Sequence, residues 1–408
     1  MLTRLVLLSQ VRNFIIDAFS CVTLFSIYSN TNPPIPQDYV VYATKLNAPE
    51  KMVGTAKREL AEETPYGITY VKAAAVPDDN TEAIKICVAD TGYDLGHPDL
   101  PSGSAVTGSS EATTGWQLDP NTHGTHVAGT IAALGGNGIG VKGVISNGDV
   151  KLHISKVLND SGSGSTSGVI AGYEKCVQNG AKVINMSLGG GGYNSAFQNA
   201  ITSAYNNGVI TVAAAGNNNS PRYFYPASYD HVVSVASITS SYTRSSFSNY
   251  NDEVDIAAPG SNVKSTVTGG GYATYSGTSM ASPHVAGVAA LVWSTNPSLS
   301  NQQVMDILEE TATDLPLGSG NGYDNYYGHG LVDAEAAYLK AQDPNVSPPP
   351  TPTPTIDCSD YGSRSSCNSQ DGCFWIARRG RCLSCSLIQN SVRCTNLPQC
   401  SWNGSSCE

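Results

Sequence analysis

The chain has 408 residues, enough for one large domain or two smaller ones around a sizeable core. Only 13% of the residues are charged, and 22 Lys plus Arg against 33 Asp plus Glu leave a net charge of −11, which argues against nucleic acid as the main partner. No apolar run reaches the roughly 18 residues that a transmembrane span needs.

Residues 1–29 are apolar with Arg4 early, the pattern of a signal or leader segment, although Arg12, Asn13 and Asp17 interrupt it and no small-residue cleavage site follows. Residues 30–63 read as a short or truncated propeptide. From 64 to 341, short apolar runs alternate with amphipathic ones. KICVAD (85–90), KLHISKVL (151–158), KVINMSL (182–188), VITVAAA (209–215) and HVVSVAS (231–237) are predicted strands. Helices are predicted over 124–134, 166–179, 195–207, 279–294, 300–312 and 333–341. Continuous apolar strands separated by helices predict an α/β fold, a mostly parallel central sheet with helices on both faces.

The prolines of 342–356 favour an extended linker. Residues 357–408 form a Cys-rich module with two internal repeats. Cys358-x8-Cys367-x5-Cys373-x8-Cys382 is followed by Cys385-x8-Cys394-x5-Cys400-x6-Cys407, with Trp375 and Trp402 at matching places. Such density predicts disulfides and an oxidising, extracellular compartment; the pairing stays open. A zinc site fits less well, because no histidine lies in the segment. The module's ligand, if it has one, could be carbohydrate, matrix or protein. For Cys87 in a strand and Cys176 in a helix, buried free thiols are the default expectation, and a bridge is the alternative in a secreted protein. Asn159, Asn218, Asn345 and Asn403 open glycosylation sequons; Asn185 does too, but in a strand expected to be buried.

The segment SGTSMASPHVAGVAALVW (276–293) sets Ser279 at the mouth of an apolar helix. A serine there is commonly an N-cap, but a helix N-terminus also stabilises a developing anion. A serine nucleophile needs a base and an orienting acid. HGTHVAGTIAAL (123–134) offers His123 as the base, with His126 structural; a metal pair is the alternative, but no further ligands are linked to it. VADTGYDLGHPDL (88–100) offers Asp90 at the C-terminal end of a strand, the edge where open parallel sheets bind ligands. An aspartic-protease reading of Asp-Thr-Gly fails, since the motif occurs once. AAAGNNN (213–219) offers Asn217, either a turn residue or an amide donor for an oxyanion.

Asp90, His123, Asn217 and Ser279, within D-T-G, H-G-T-H-V-A-G, A-A-G-N and G-T-S-M-A-S-P-H, resemble the subtilisin family of serine proteases over about two thirds of the chain. NNNSPRYFYPAS and RSSFSNY look most like the proteinase K branch. The resemblance implies a secreted endopeptidase. Ser279 attacks the peptide carbonyl, His123 moves the proton, Asp90 orients the imidazole, and the Asn217 side chain with the Ser279 N–H binds the oxyanion. It implies that peptide substrates bind as an added strand between Gly162-Ser163-Gly164 and Ser187-Leu188-Gly189. Ala213, Ala214, Ala215 and Gly216 would wall a pocket for apolar or aromatic side chains. It also implies a structural calcium ion held by Asp99, Leu134, Asn137, Ile139, Val141 and Glu62. The chain is expected to be a monomer. Family members carry a folded inhibitory prodomain, for which 30–63 is too short; TPYGITYVKA (64–73) resembles the start of a mature domain, with processing near Glu62–Thr64. A catalytically silent binding protein on the same fold is the alternative.

Overall fold

The computed structural model describes residues 38–43, 61–315 and 322–343, and the backbone of 373–376 and 381–384. The leader, the linker, Cys21 and most of the propeptide and Cys-rich segments lie outside the described residues.

The strands are β1 (Val40–Ala43), β2 (Ile86–Asp90), β3 (Val106–Ser110), β4 (Leu152–Lys156), β5 (Ser163–Ser165), β6 (Val183–Met186), β7 (Leu188–Gly189), β8 (Ile210–Ala214), β9 (Val232–Ile238), β10 (Ile256–Pro259), β11 (Val263–Val267) and β12 (Gly271–Tyr275). The helices are α1 (Tyr66–Tyr70), α2 (His123–Ala132), α3 (Thr166–Gln178), α4 (Ser195–Asn206), α5 (Thr278–Thr295), α6 (Asn301–Glu310) and α7 (Ala334–Ala341). Seven strands form one sheet in the order β10-β9-β8-β6-β2-β4-β3, every neighbour parallel. In the tail, β13 (Cys373–Ile376) pairs antiparallel with β14 (Arg381–Ser384).

Alternation along the strands builds a core on each face. Ile86 and Val88 join the cluster under α2, α5, α6 and α7. Cys87 and Ala89 join the other, under α3 and α4. Every residue of α5 from Thr278 to Ser294 is buried, as its all-round apolar sequence requires. The five predicted strands and six predicted helices form within a few residues of their expected limits. Edge strands β3 and β10 and the β11–β12 hairpin were not expected. Their sequences, VTGSS and IAAP among them, lack a sustained apolar run.

For Cys87 and Cys176 the bridge, not the default of free thiols, is found. Both are buried, and they form a disulfide with sulfurs 2.09 Å apart, pinning β2 to α3. The residues lie 89 apart in sequence and face each other across the second core. In the chain-entropy account, closing so long a loop stabilises the fold by about 4–5 kcal/mol. Asn185 is buried, with its amide donating to the Ser187 hydroxyl, so its sequon is inaccessible in the fold.

Three buried histidines make the fold acid-sensitive. Burial pushes His284 in α5 down to about 4, against the opposing pull of its bond to the Met280 carbonyl. Burial, then the charge of Lys85, pushes His153 down to about 4, and burial lowers His231. The unfolded chain protonates His284 and His153 near pH 6.5, whereas the native fold resists this until about pH 4. Stability is therefore intact above pH 6.5 and falls with decreasing pH, by about 1.4 kcal/mol per pH unit from His284 alone. Urea unfolding between those limits should show this slope, reduced by that amount in His284→Asn; an unchanged slope contradicts the assignment.

Candidate active site

Asp90 ends β2 and His123 begins α2. His123 Nδ1 lies 2.7 Å from Asp90 Oδ1, with both side chains fully buried. The same carboxylate oxygen accepts the Thr91 N–H at 2.7 Å. Gly124 allows this approach, since a Cβ there would lie 2.3 Å from the Gly92 carbonyl and 3.2 Å from Asp90 Cβ. His123 Nε2 and Asp90 Oδ2 are buried without a hydrogen-bond partner. A buried nitrogen in that condition is costly unless a ligand or reacting group meets it. His126 is a structural residue. Its Nε2 faces the carbonyls of Val263 and Ala273, each at 3.1 Å, and its ring stacks on Tyr275.

Ser279 sits in the first turn of α5. Its hydroxyl donates to the Ser187 carbonyl at 3.0 Å, and the Ser187 hydroxyl donates back to the Ser279 carbonyl at 2.8 Å. Asn217 follows β8 and reaches the same turn. Its Oδ1 accepts from the Thr278 N–H and from the Thr278 hydroxyl, both at 2.9 Å. These two bonds fix the amide plane, making Nδ2 the donor end turned from Thr278. Gly216, with φ of 104°, donates its N–H to the Thr278 hydroxyl at 3.1 Å, tying this loop to α5. Ala213, Ala214 and Ala215 are buried ahead of it, at the end of β8. Phe224 backs this region, lying where a Cβ on Gly189 or Gly216 would stand.

The two expected peptide-binding edges lie on either side of the chain's own segment. β1 pairs antiparallel with β5, Val41 opposite Gly164 and Tyr42 opposite Ser163, and antiparallel with β7, Tyr42 opposite Gly189 and Ala43 opposite Leu188. The Ala43 N–H donates to the Gly162 carbonyl at 2.9 Å. Val41 is buried, while Val40 and Tyr42 are exposed. Asp38 anchors the segment, accepting the Ser167 N–H and hydroxyl at 2.9 Å each.

The residues expected to hold calcium form one loop cluster. Asp99 is fully buried; it accepts Asn137 Nδ2 at 2.6 Å and the Val141 N–H at 2.9 Å. Burial raises its carboxyl above the usual range, against those hydrogen bonds. Glu62 accepts the Gly136 N–H at 2.6 Å and pairs with Lys142 at 2.9 Å. Asp99, Glu62 and Asn137 bring oxygen donors to this loop, the chemistry that a hard cation takes. Asn137 would have to turn its amide, since its Oδ1 now accepts the Ile139 N–H. Among the described residues, no group of three His, Cys, Asp or Glu side chains is placed to hold a metal.

Sequence reasoning gave no role to Thr91 and Thr278, which lie inside the Asp-Thr-Gly and Gly-Thr-Ser motifs, nor to Asp119 and Lys156, which lie outside them. Asp119, four residues before His123 at the head of α2, carries the one available signal, an acid at a helix N-terminus.

Comparison with known proteins agrees with this geometry. Residues 81–330 match the model of the Subtilase family. Subtilisin DY of Bacillus licheniformis is 45% identical over 285 residues, covering 68% of this chain and 99% of that protein. Subtilisin amylosacchariticus of Bacillus subtilis subsp. amylosacchariticus is 44% identical over 285 residues, covering 68% of this chain and 72% of that protein. The crystal structure of Apa1, a psychrophilic subtilisin-like protease of Pseudoalteromonas sp. AS-11, superposes with a TM-score of 0.63 at 31% identity, covering 68% of this chain and 98% of that one. The chain therefore belongs to the subtilase family and is a subtilisin-like serine endopeptidase.

Proposed function

We propose that this endopeptidase works through Asp90, His123 and Ser279, with Asn217 as oxyanion donor. The observation that carries the reading is the 2.7 Å Asp90–His123 bond, which leaves a buried, unpartnered Nε2 on the same ring. The reaction requires the Ser279 hydroxyl to exchange its bond to the Ser187 carbonyl for one to that nitrogen. Ser279 Oγ then attacks the scissile carbonyl as His123 takes its proton, and His123 later returns the proton to the leaving amine. Asp90, through Nδ1, holds the tautomer and stabilises the imidazolium. The oxyanion meets Asn217 Nδ2, oriented by Thr278, and the Ser279 N–H at the start of α5.

Protein substrates bind as a strand between β5 and β7. β1 supports this reading, since it is a peptide already lying on both edges. The small residues Ala213 to Gly216 favour apolar and aromatic side chains before the scissile bond. The part of 30–63 that precedes Glu62 acts as a propeptide whose segment 38–43 covers the cleft until it is removed. Glu62 and Glu63 are tied into the body, Glu63 by its N–H to the Gly140 carbonyl and by an ion pair with Lys264, so processing falls before Glu62. The catalytic domain spans 64–341, ahead of the linker and a disulfide-linked module that binds carbohydrate, matrix or protein. The protein is secreted and monomeric; no helix among the described residues is long and apolar enough to cross a membrane.

A fluorophosphonate probe on processed protein should label Ser279 alone, with labelling lost in His123→Ala. Asn217→Ala should lower kcat by about 10²–10³, a range measured in this same family. Labelling elsewhere, or none on processed protein, overturns the reading. A calcium ion at Asp99, Asn137 and Glu62 would supply charge neutralisation for the loop 134–141 and no chemistry to the reacting bond. Calcium at about 100 times its dissociation constant should stabilise the protein by about 2.7 kcal/mol. A rise in Tm with calcium that persists in Asp99→Asn contradicts this site.

A further inference from the structure

Two buried charges outside the proposed triad hold one residue, Thr91, which follows Asp90. Lys156 is fully buried at the end of β4, in register with Asp90 across the parallel pair. Its ammonium donates to the Thr91 carbonyl and, at 3.0 Å, to Asp160. Asp119 is buried on the other side. Its Oδ1 accepts the Thr91 hydroxyl at 2.7 Å and the Thr122 N–H at 3.0 Å. Its Oδ2 accepts the Thr125 N–H at 2.8 Å and the Thr125 hydroxyl at 2.7 Å. The Thr91 hydroxyl in turn accepts the Gly124 N–H at 2.9 Å.

The network reaches both halves of the Asp–His pair. Thr91 offers its N–H to the carboxylate oxygen that His123 meets. Thr122, directly before His123, has φ of 73°, a left-handed conformation that a β-branched residue adopts only under constraint. That constraint includes the bonds from its N–H to the Asp119 carboxylate and carbonyl and the contact of its hydroxyl with Tyr275 at 2.7 Å. A buried carboxylate meeting four donors, and a buried ammonium held by one carbonyl and one half-exposed carboxylate, are expensive ways to stabilise a fold. A site that must hold a hydrogen bond to a fraction of an ångström has a use for them.

We propose that Asp119 and Lys156 are positioning residues of the hydrolytic centre, which grip Thr91 by its hydroxyl and its carbonyl and so hold Asp90 against His123. The inference rests on the triad reading given above. The other titratable groups around His123 are Asp94 beyond β2, Asp160 beyond β4, Tyr275 on β12 and His126 on its own helix; Lys156 holds Asp160 below the usual carboxylate range.

The test is peptidase kinetics across pH in processed protein. Ser279→Ala serves as the control; if it keeps full activity the triad reading itself fails, independently of this proposal. Thr91→Val, which removes the hydroxyl and little else, should lower kcat by about 10- to 100-fold with KM nearly unchanged, and Thr91→Ser should recover most of it. Asp119→Asn places an amide N–H among donors and should lower kcat likewise. It also removes a negative charge, so the acidic limb of the kcat/KM profile should move to lower pH. Lys156→Met removes the opposing charge and should move that limb to higher pH; each shift should be about half a pH unit. Variants that lose Tm but keep the wild-type kcat and profile would make both residues merely structural and overturn the proposal. Limbs moving in the same direction in the two charge variants would overturn it equally.

Discussion

The 2.7 Å contact between Asp90 and His123 is the constraint around which the site is organised. Each partner is fully buried, and neither could stay there alone. A carboxylate without its donor, or an imidazolium without its acceptor, would cost several kcal/mol. The pair is therefore an arrangement that only a stiff surround can hold. That surround is visible in the close approach of Gly124 to Gly92, in the strained Thr122, and in the opposed charges that meet at Thr91.

The fold supplies the stiffness through its parallel sheet. β2 and β4 carry Asp90 and Lys156 to the same edge, and β6 and β8 bring Ser187 and Asn217 toward it from the neighbouring positions. α2 and α5 then deliver His123 and Ser279 at their N-termini, where the helix dipole favours negative charge. The all-round burial of α5 fixes the place of Ser279, and the disulfide between Cys87 and Cys176 pins the strand that carries Asp90.

The sequence made the centre of the sheet legible because those strands are buried on both faces and read as unbroken apolar runs. It made the reacting groups legible because each sits in a short motif at the end of a strand or the head of a helix. What it did not show depends on contacts between distant segments. Nothing local in AIKIC or EKCVQ says that Cys87 and Cys176 meet. Lys156 lies inside an apolar strand, where a lone cation reads as a side chain reaching solvent, yet it is fully buried. The placement of Val40–Ala43 between β5 and β7 was equally hidden, because a four-residue strand acquires its meaning only from its neighbours.

The most direct test of the central claim is proton NMR of 15N-histidine-labelled Ser279→Ala protein. A ring N–H shared between His123 and Asp90 and shielded from water should give one resonance far downfield of the backbone amides, split by 15N and lost in Asp90→Ala. Its presence would establish the buried hydrogen bond that the account requires. Its absence throughout the range of about pH 5 to 8, in folded protein, would mean that the pair is not held as described, and the account of this site would fail with it.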